Sequence, residues 1–133
     1  IANKFKNICK KNDLDYATNN IFVIFSKFMS AAMSEANSKV KDFELRKIIR
    51  KTNCKDIWIL FKFFGGVTIF FYTEKDKEKY LNSEVIDNIE SEYKKVISKY
   101  DEFGYYSDKI RFGLDSKENF DTNYQSSWFN YTR

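Results

Sequence analysis

The pattern of apolar and polar positions is most decisive between Asp56 and Tyr72, DIWILFKFFGGVTIFFY, where two aromatic and β-branched runs meet at Gly65-Gly66. Such runs favour strands, and two glycines accept the positive φ angles of a tight hairpin turn. With those glycines as the turn, Trp58, Leu60, Lys62 and Phe64 lie opposite Thr73, Phe71, Ile69 and Val67. On the other face Ile59, Phe61 and Phe63 lie opposite Tyr72, Phe70 and Thr68. Both faces are apolar, so the hairpin must be covered on both sides or take part in an interface.

Helical periods flank it. Ile1, Phe5, Ile8 and Cys9 form one stripe, with Lys4, Lys6, Lys10 and Lys11 outside it, which predicts a short basic amphipathic helix. A second helix is expected to start near Asp15 or Thr18. Ile21, Phe22, Ile24, Phe25, Phe28, Met29, Ala32 and Met33 make its wide apolar face, and its period weakens at Asn37-Ser38-Lys39. That width predicts a mostly buried helix whose Met and Phe side chains pack in the core. Asp42 is placed to cap a third helix, with Leu45, Ile48 and Ile49 inward, Arg46, Lys47, Arg50 and Lys51 outward, and an end near Thr52-Asn53.

After the hairpin, Glu74 to Lys79 reads as a charged link. Ser83 or Asn82 then caps a helix in which Ile86, Ile89, Tyr93, Val96, Ile97 and Tyr100 form a single apolar stripe, ending at Phe103-Gly104. Lys109 to Asp115 alternates as a half-buried strand. Ser116 to Asn123 suits a turn or one helical turn, and Trp128 to Tyr131 suggests a short aromatic strand. The pattern predicts one α+β domain over residues 1–133: amino-terminal helices, a central antiparallel hairpin, an amphipathic helix, and one or two strands completing a sheet of at least four strands.

Composition changes this picture chiefly by exclusion. The 133 residues include no His and no Pro, and only two cysteines, Cys9 and Cys54, without CxxC spacing. Zinc sites built on His, Ser-His-Asp and Cys-His arrangements are therefore excluded, and neither a disulfide framework nor a metal or other cofactor is expected. Gly65-Gly66 lacks the surrounding pattern of a phosphate-binding loop. Asp13 with Asp15 and Asp101 with Glu102 could in principle act as acid and base, but capping and solvation account for them, and a non-enzymatic protein is expected. No apolar run reaches the roughly 20 residues needed to cross a bilayer, and no secretory leader is read at the amino end, so a cytoplasmic setting is expected.

Charge is uneven. Through Lys62 there are thirteen Lys and Arg against six Asp and Glu; from Phe63 onward, ten against thirteen. Two binding surfaces follow. The carboxyl-terminal half offers Asp87, Glu90, Asp101, Glu102, Asp108, Asp115, Glu118 and Asp121 near aromatics expected to be exposed, Tyr105, Tyr106, Phe120, Tyr124 and Trp128, the mixture that a steered protein interface uses. The alternative is nucleic-acid contact through Arg46, Lys47, Arg50 and Lys51. Whether the chain is a monomer or pairs through a hairpin face is open at this level.

In overall style, a small cysteine-poor α+β chain rich in Lys, Asn, Phe and Tyr, with no catalytic set and an aromatic hairpin, resembles the bacterial immunity proteins of contact-dependent growth inhibition and related polymorphic toxin systems. The resemblance implies a cytoplasmic protein that binds a cognate toxin domain, often a nuclease, and occludes its active or target-binding surface. No functional residue carries over from it. Many such proteins are acidic where the toxin is basic; the net charge of +4 departs from that pattern.

Overall fold

A computed structural model describes residues 2–16, 28–106 and 110–133. It is an α+β fold built on a three-stranded sheet of order β1-β2-β3. In chain order the elements are α1 (Ala2–Lys11), α2 (Phe28–Lys39), α3 (Asp42–Thr52), β1 (Ile57–Phe63), β2 (Gly66–Phe71), α4 (Glu74–Tyr80), α5 (Glu84–Ile97), β3 (Arg111–Ser116), α6 (Lys117–Tyr124) and α7 (Trp128–Tyr131). β1 and β2 are antiparallel. β3 lies parallel to β2, a pairing that needs a long crossover, here the passage through α4 and α5.

The hairpin is present, but its turn is one residue earlier than expected. Phe63 pairs with Gly66, Lys62 with Val67, Leu60 with Ile69 and Ile59 with Phe70, so Phe64 and Gly65 form the turn and Gly66 opens β2. The reason is the third strand. Gly66 pairs with Arg111, and a Cβ on Gly66 would sit 3.0 Å from the Arg111 carbonyl oxygen, so the glycine serves a close strand approach rather than the turn. An irregularity between Ile57 and Ile59 then brings Ile57 opposite Phe71.

Alternation sorts the sheet into two faces. Leu60, Val67, Ile69 and Phe71 face the main core, joined there by Val40, Leu45 and Ile48 of the α3 region and by Ile86, Ile89, Tyr93 and Ile97 of α5. Phe61, Phe63, Thr68 and Phe70 look the other way. Over part of that second face lie α6 and α7, with Trp128 stacked on Phe61 at 4.1 Å and on Phe120 at 4.2 Å between ring centroids.

Several boundaries differ from expectation, each for a local reason. Glu74–Tyr80 is a helix rather than a link: the Thr73 hydroxyl accepts the Asp76 N–H at 3.1 Å and caps it. Trp128–Tyr131 is one helical turn and not a fourth strand; Gln125 and Ser126 take left-handed φ angles that end α6, and Ser127 caps α7. Ser116 caps α6 in the same way, accepting the Asn119 N–H at 2.8 Å, and the helix runs two turns. α3 is capped at Lys41, whose N–H donates to Glu44, rather than at Asp42, and it ends at Asn53 in a left-handed conformation.

α5 begins after Ser83 as expected, but the Ser83 hydroxyl makes no capping bond and is buried without a partner. The helix ends at Ile97, short of Phe103-Gly104. α2 buries only Ala32, Ala36 and Asn37, so it is less enclosed than its apolar period implies. Asp15 belongs to no regular element, and Thr18, Ile21, Phe22, Ile24 and Phe25 lie outside the described residues. No helix among the described residues is long and apolar enough to cross a membrane.

Candidate protein-binding surface

The carboxylates expected to form one acidic surface are divided by the fold. α5, carrying Asp87 and Glu90, packs through Ile89 and Tyr93 on the main-core face of the sheet. α6, carrying Glu118, Phe120 and Asp121, packs through Phe120 against Phe70 on the opposite face. The two groups therefore belong to helices on opposite sides of the sheet.

Many of these residues also have internal work. The Asp101 carboxylate accepts the N–H groups of Tyr105 at 3.0 Å and Tyr106 at 2.7 Å, which shapes the loop after α5. Tyr106 is 2% exposed, and its hydroxyl donates to the Met33 carbonyl at 2.5 Å. Burial, with Asp101 nearby, pushes that phenol up to about 12. Asp115 is buried and accepts the Tyr131 hydroxyl and the Asn119 amide, each at 2.8 Å. Phe120 is 3% exposed.

Asp121 pairs with Lys117, which together with the Ser126 hydroxyl holds its carboxyl below the ordinary range. Glu118 accepts the Glu74 N–H at 3.0 Å. Tyr124 is half-buried with its ring edge on Tyr131, and Tyr105 is half-buried near Phe28 and Phe103. The expectation that Tyr106 and Phe120 are exposed anchors is thus corrected: both are core. Asp87 and Glu102 are exposed and Glu90 is half-buried, whereas Asp108 lies outside the described residues. Asp87 and Glu90 share a shallow depression of about 580 Å³ with Lys94 and Lys95, so the local sign is mixed.

On the basic side, Arg46, Lys47, Arg50 and Lys51 are exposed along α3 as expected. Lys51 is tied to Glu92, which also binds Lys95, and the two ammonium groups hold the Glu92 carboxyl down at about 2. Arg46, Lys47 and Arg50 make no ion pair among the described residues, and Phe43 lies exposed beside them. Among the described residues no group of three or more Cys, Asp or Glu side chains gathers as metal ligands.

The hairpin tip is the surface that periodicity did not single out. Phe64 is 69% exposed and Phe63 is exposed beside it, ring centroids 4.2 Å apart. Phe64 has φ 48°, a left-handed conformation that costs a bulky L-residue about 1–2 kcal/mol. It is held from inside. Asn37, 1% exposed, donates through its amide to the carbonyls of Phe64 at 2.7 Å and Gly66 at 2.9 Å, and its amide oxygen accepts the buried Tyr93 hydroxyl. One side chain of α2 thereby connects α5 to the turn and satisfies every polar group it meets. Beside the tip, Met29, Met33, Thr68, Arg111, Phe112 and Gly113 line much of a hollow of about 830 Å³. The Asn37 polar break in the α2 period was the available signal; its partners were not visible in the chain.

Comparison with family models, curated proteins and solved structures returns no match for this chain.

Proposed function

We propose that this chain is a non-enzymatic protein-binding domain that neutralises a cognate bacterial toxin domain in the cytoplasm, as an immunity-type inhibitor, by covering its active or target-binding surface. One observation carries the reading. Two adjacent phenylalanines are presented to water at the hairpin tip, on a strained backbone that a buried amide pins in place. Exposed aromatic anchors whose geometry is set before binding are what dominate tight protein interfaces, because little ordering entropy is lost on association. Strain kept at an exposed turn also points to use of that turn, since any glycine at position 64 would relieve it.

The test is a pull-down with the chain as bait, with and without nuclease treatment. An equimolar protein that survives nuclease, and whose toxicity the chain suppresses, supports the reading. Replacing Phe63 and Phe64 by Ser should then weaken that complex by about 30-fold or more, the scale of a hot-spot loss. Recovery of nucleic acid instead would transfer the case to the second reading, nucleic-acid contact by α3, which the exposed cations of Arg46, Lys47 and Arg50 beside exposed Phe43 favour.

A further inference from the structure

Among the described residues, the hollows on the two sides of Phe64 are lined by no carboxylate. The larger, of about 830 Å³, is closed mainly by Met29, Met33, Phe63, Val67 and Phe112, and its one charged lining residue among those described is Arg111. The smaller, of about 280 Å³, is lined by Ser34, Asn37, Ser38, Lys62 and Phe64. In a chain carrying 19 Asp and Glu, a rim around the exposed aromatics whose charged residues, among those described, are the cations Arg111 and Lys62 is a local departure that gives the surface a sign.

Arg111 is exposed and makes no ion pair among the described residues. Lys62 is spoken for in part: its ammonium donates to the Val40 carbonyl and, at 3.4 Å, to that of Ser38. Two methionines give the larger hollow walls that can re-pack around an incoming side chain.

We infer that this tip receives an acidic, apolar protein segment: an aromatic or aliphatic side chain enters the Met29–Met33–Phe112 hollow while a neighbouring carboxylate is taken by the Arg111 guanidinium. The inference rests on the protein-binding reading above and names the chemistry of the partner. A planar guanidinium suits a carboxylate through two parallel hydrogen bonds. A single-stranded nucleic acid fits less well, because it needs a track of cations along several phosphates, and among the described residues lining the larger hollow Arg111 is the one cation. An acidic target also accords with a chain whose own net charge is +4.

The probe is a short fluorescein-labelled peptide of alternating Asp and Phe, compared with a peptide in which Lys replaces Asp and with oligo-dT. Anisotropy gives affinity, and amide NMR shifts give the site. The expected result is saturable binding of the acidic peptide with shifts at residues 63–67 and 111–113. Affinity should fall at least about tenfold in Arg111→Glu and in Phe64→Ser, and less in Arg111→Lys. The NMR spectra of the variants report whether they fold. Equal binding of the Lys peptide, shifts confined elsewhere, or tighter binding of oligo-dT would overturn the inference. A toxin captured in the pull-down but indifferent to Arg111→Glu and Phe64→Ser would overturn this site while leaving the inhibitor reading intact.

Discussion

Phe61 and Phe63 are two residues apart on β1 and point to the same side of the sheet, yet they live in different regions. Phe61 lies under the lid of α6 and α7, with Trp128 stacked flat on it and Phe70 and Tyr131 edge-on. Phe63 is past the lid and 38% exposed, next to the more exposed Phe64. The chemistry of the rings is the same. What differs is whether later chain returns to cover them, and that decides whether an aromatic stabilises the fold or remains available for a partner.

The covered region should be the more sensitive to loss. Phe70→Ala removes a fully buried ring that contacts Trp58, Phe61, Phe120, Trp128 and Tyr131, and should cost about 3–5 kcal/mol in denaturant unfolding. A loss below about 1 kcal/mol would mean that α6 and α7 are not a structural lid. Next comes the link between the regions. Asn37→Ala leaves the Phe64 and Gly66 carbonyls and the Tyr93 hydroxyl without their amide partner, and should cost about 2–3 kcal/mol. Amide exchange should accelerate locally around residues 64–67.

At the tip the expected sign reverses. Phe64→Gly removes a strained side chain from the left-handed region and should raise stability by up to about 1 kcal/mol, while weakening partner binding. Reduced stability together with unchanged binding would remove the argument that the turn is strained for use. The smallest effect near neutral pH concerns Tyr131 of the lid, whose phenol is raised by burial and then by Asp115. A raised folded-state value means that its contribution is whole below the ordinary tyrosine range near pH 10 and is lost as pH climbs through the folded value. Denaturation at pH 8 and pH 11 (about one unit above the ordinary value) should therefore show a steeper alkaline loss than in Tyr131→Phe.

Much of the architecture was legible because it is local. The stripes of α1, α3 and α5, the hairpin and β3 follow from period and composition, and Ile86, Ile89, Tyr93 and Ile97 are buried as that stripe requires. Thr73-x-x-Asp76 and Ser116-x-x-Asn119 were readable capping signals, and reading Glu74–Lys79 only as charge hid the first. The candidate surface was less legible. Sequence proximity gathered Asp87, Asp101, Asp115 and Asp121 into one acidic group, whereas the parallel crossover places α5 and α6 on opposite faces of the sheet.

That the chain is α+β, that it contains no histidine, and that aromatic strands lie at its centre can be read along the chain, because helix period, strand composition and residue inventory are properties of neighbours in sequence. Packing in three dimensions was needed to place Gly66 in a strand, to bring Asn37 to the turn, and to leave Phe63 and Phe64 exposed while Phe61 is half-buried. Each of those depends on a contact between segments tens of residues apart, Gly66 with Arg111, Asn37 with Phe64, Phe61 with Trp128. No local preference encodes which distant segment will arrive to complete a strand, satisfy a carbonyl or cover a ring.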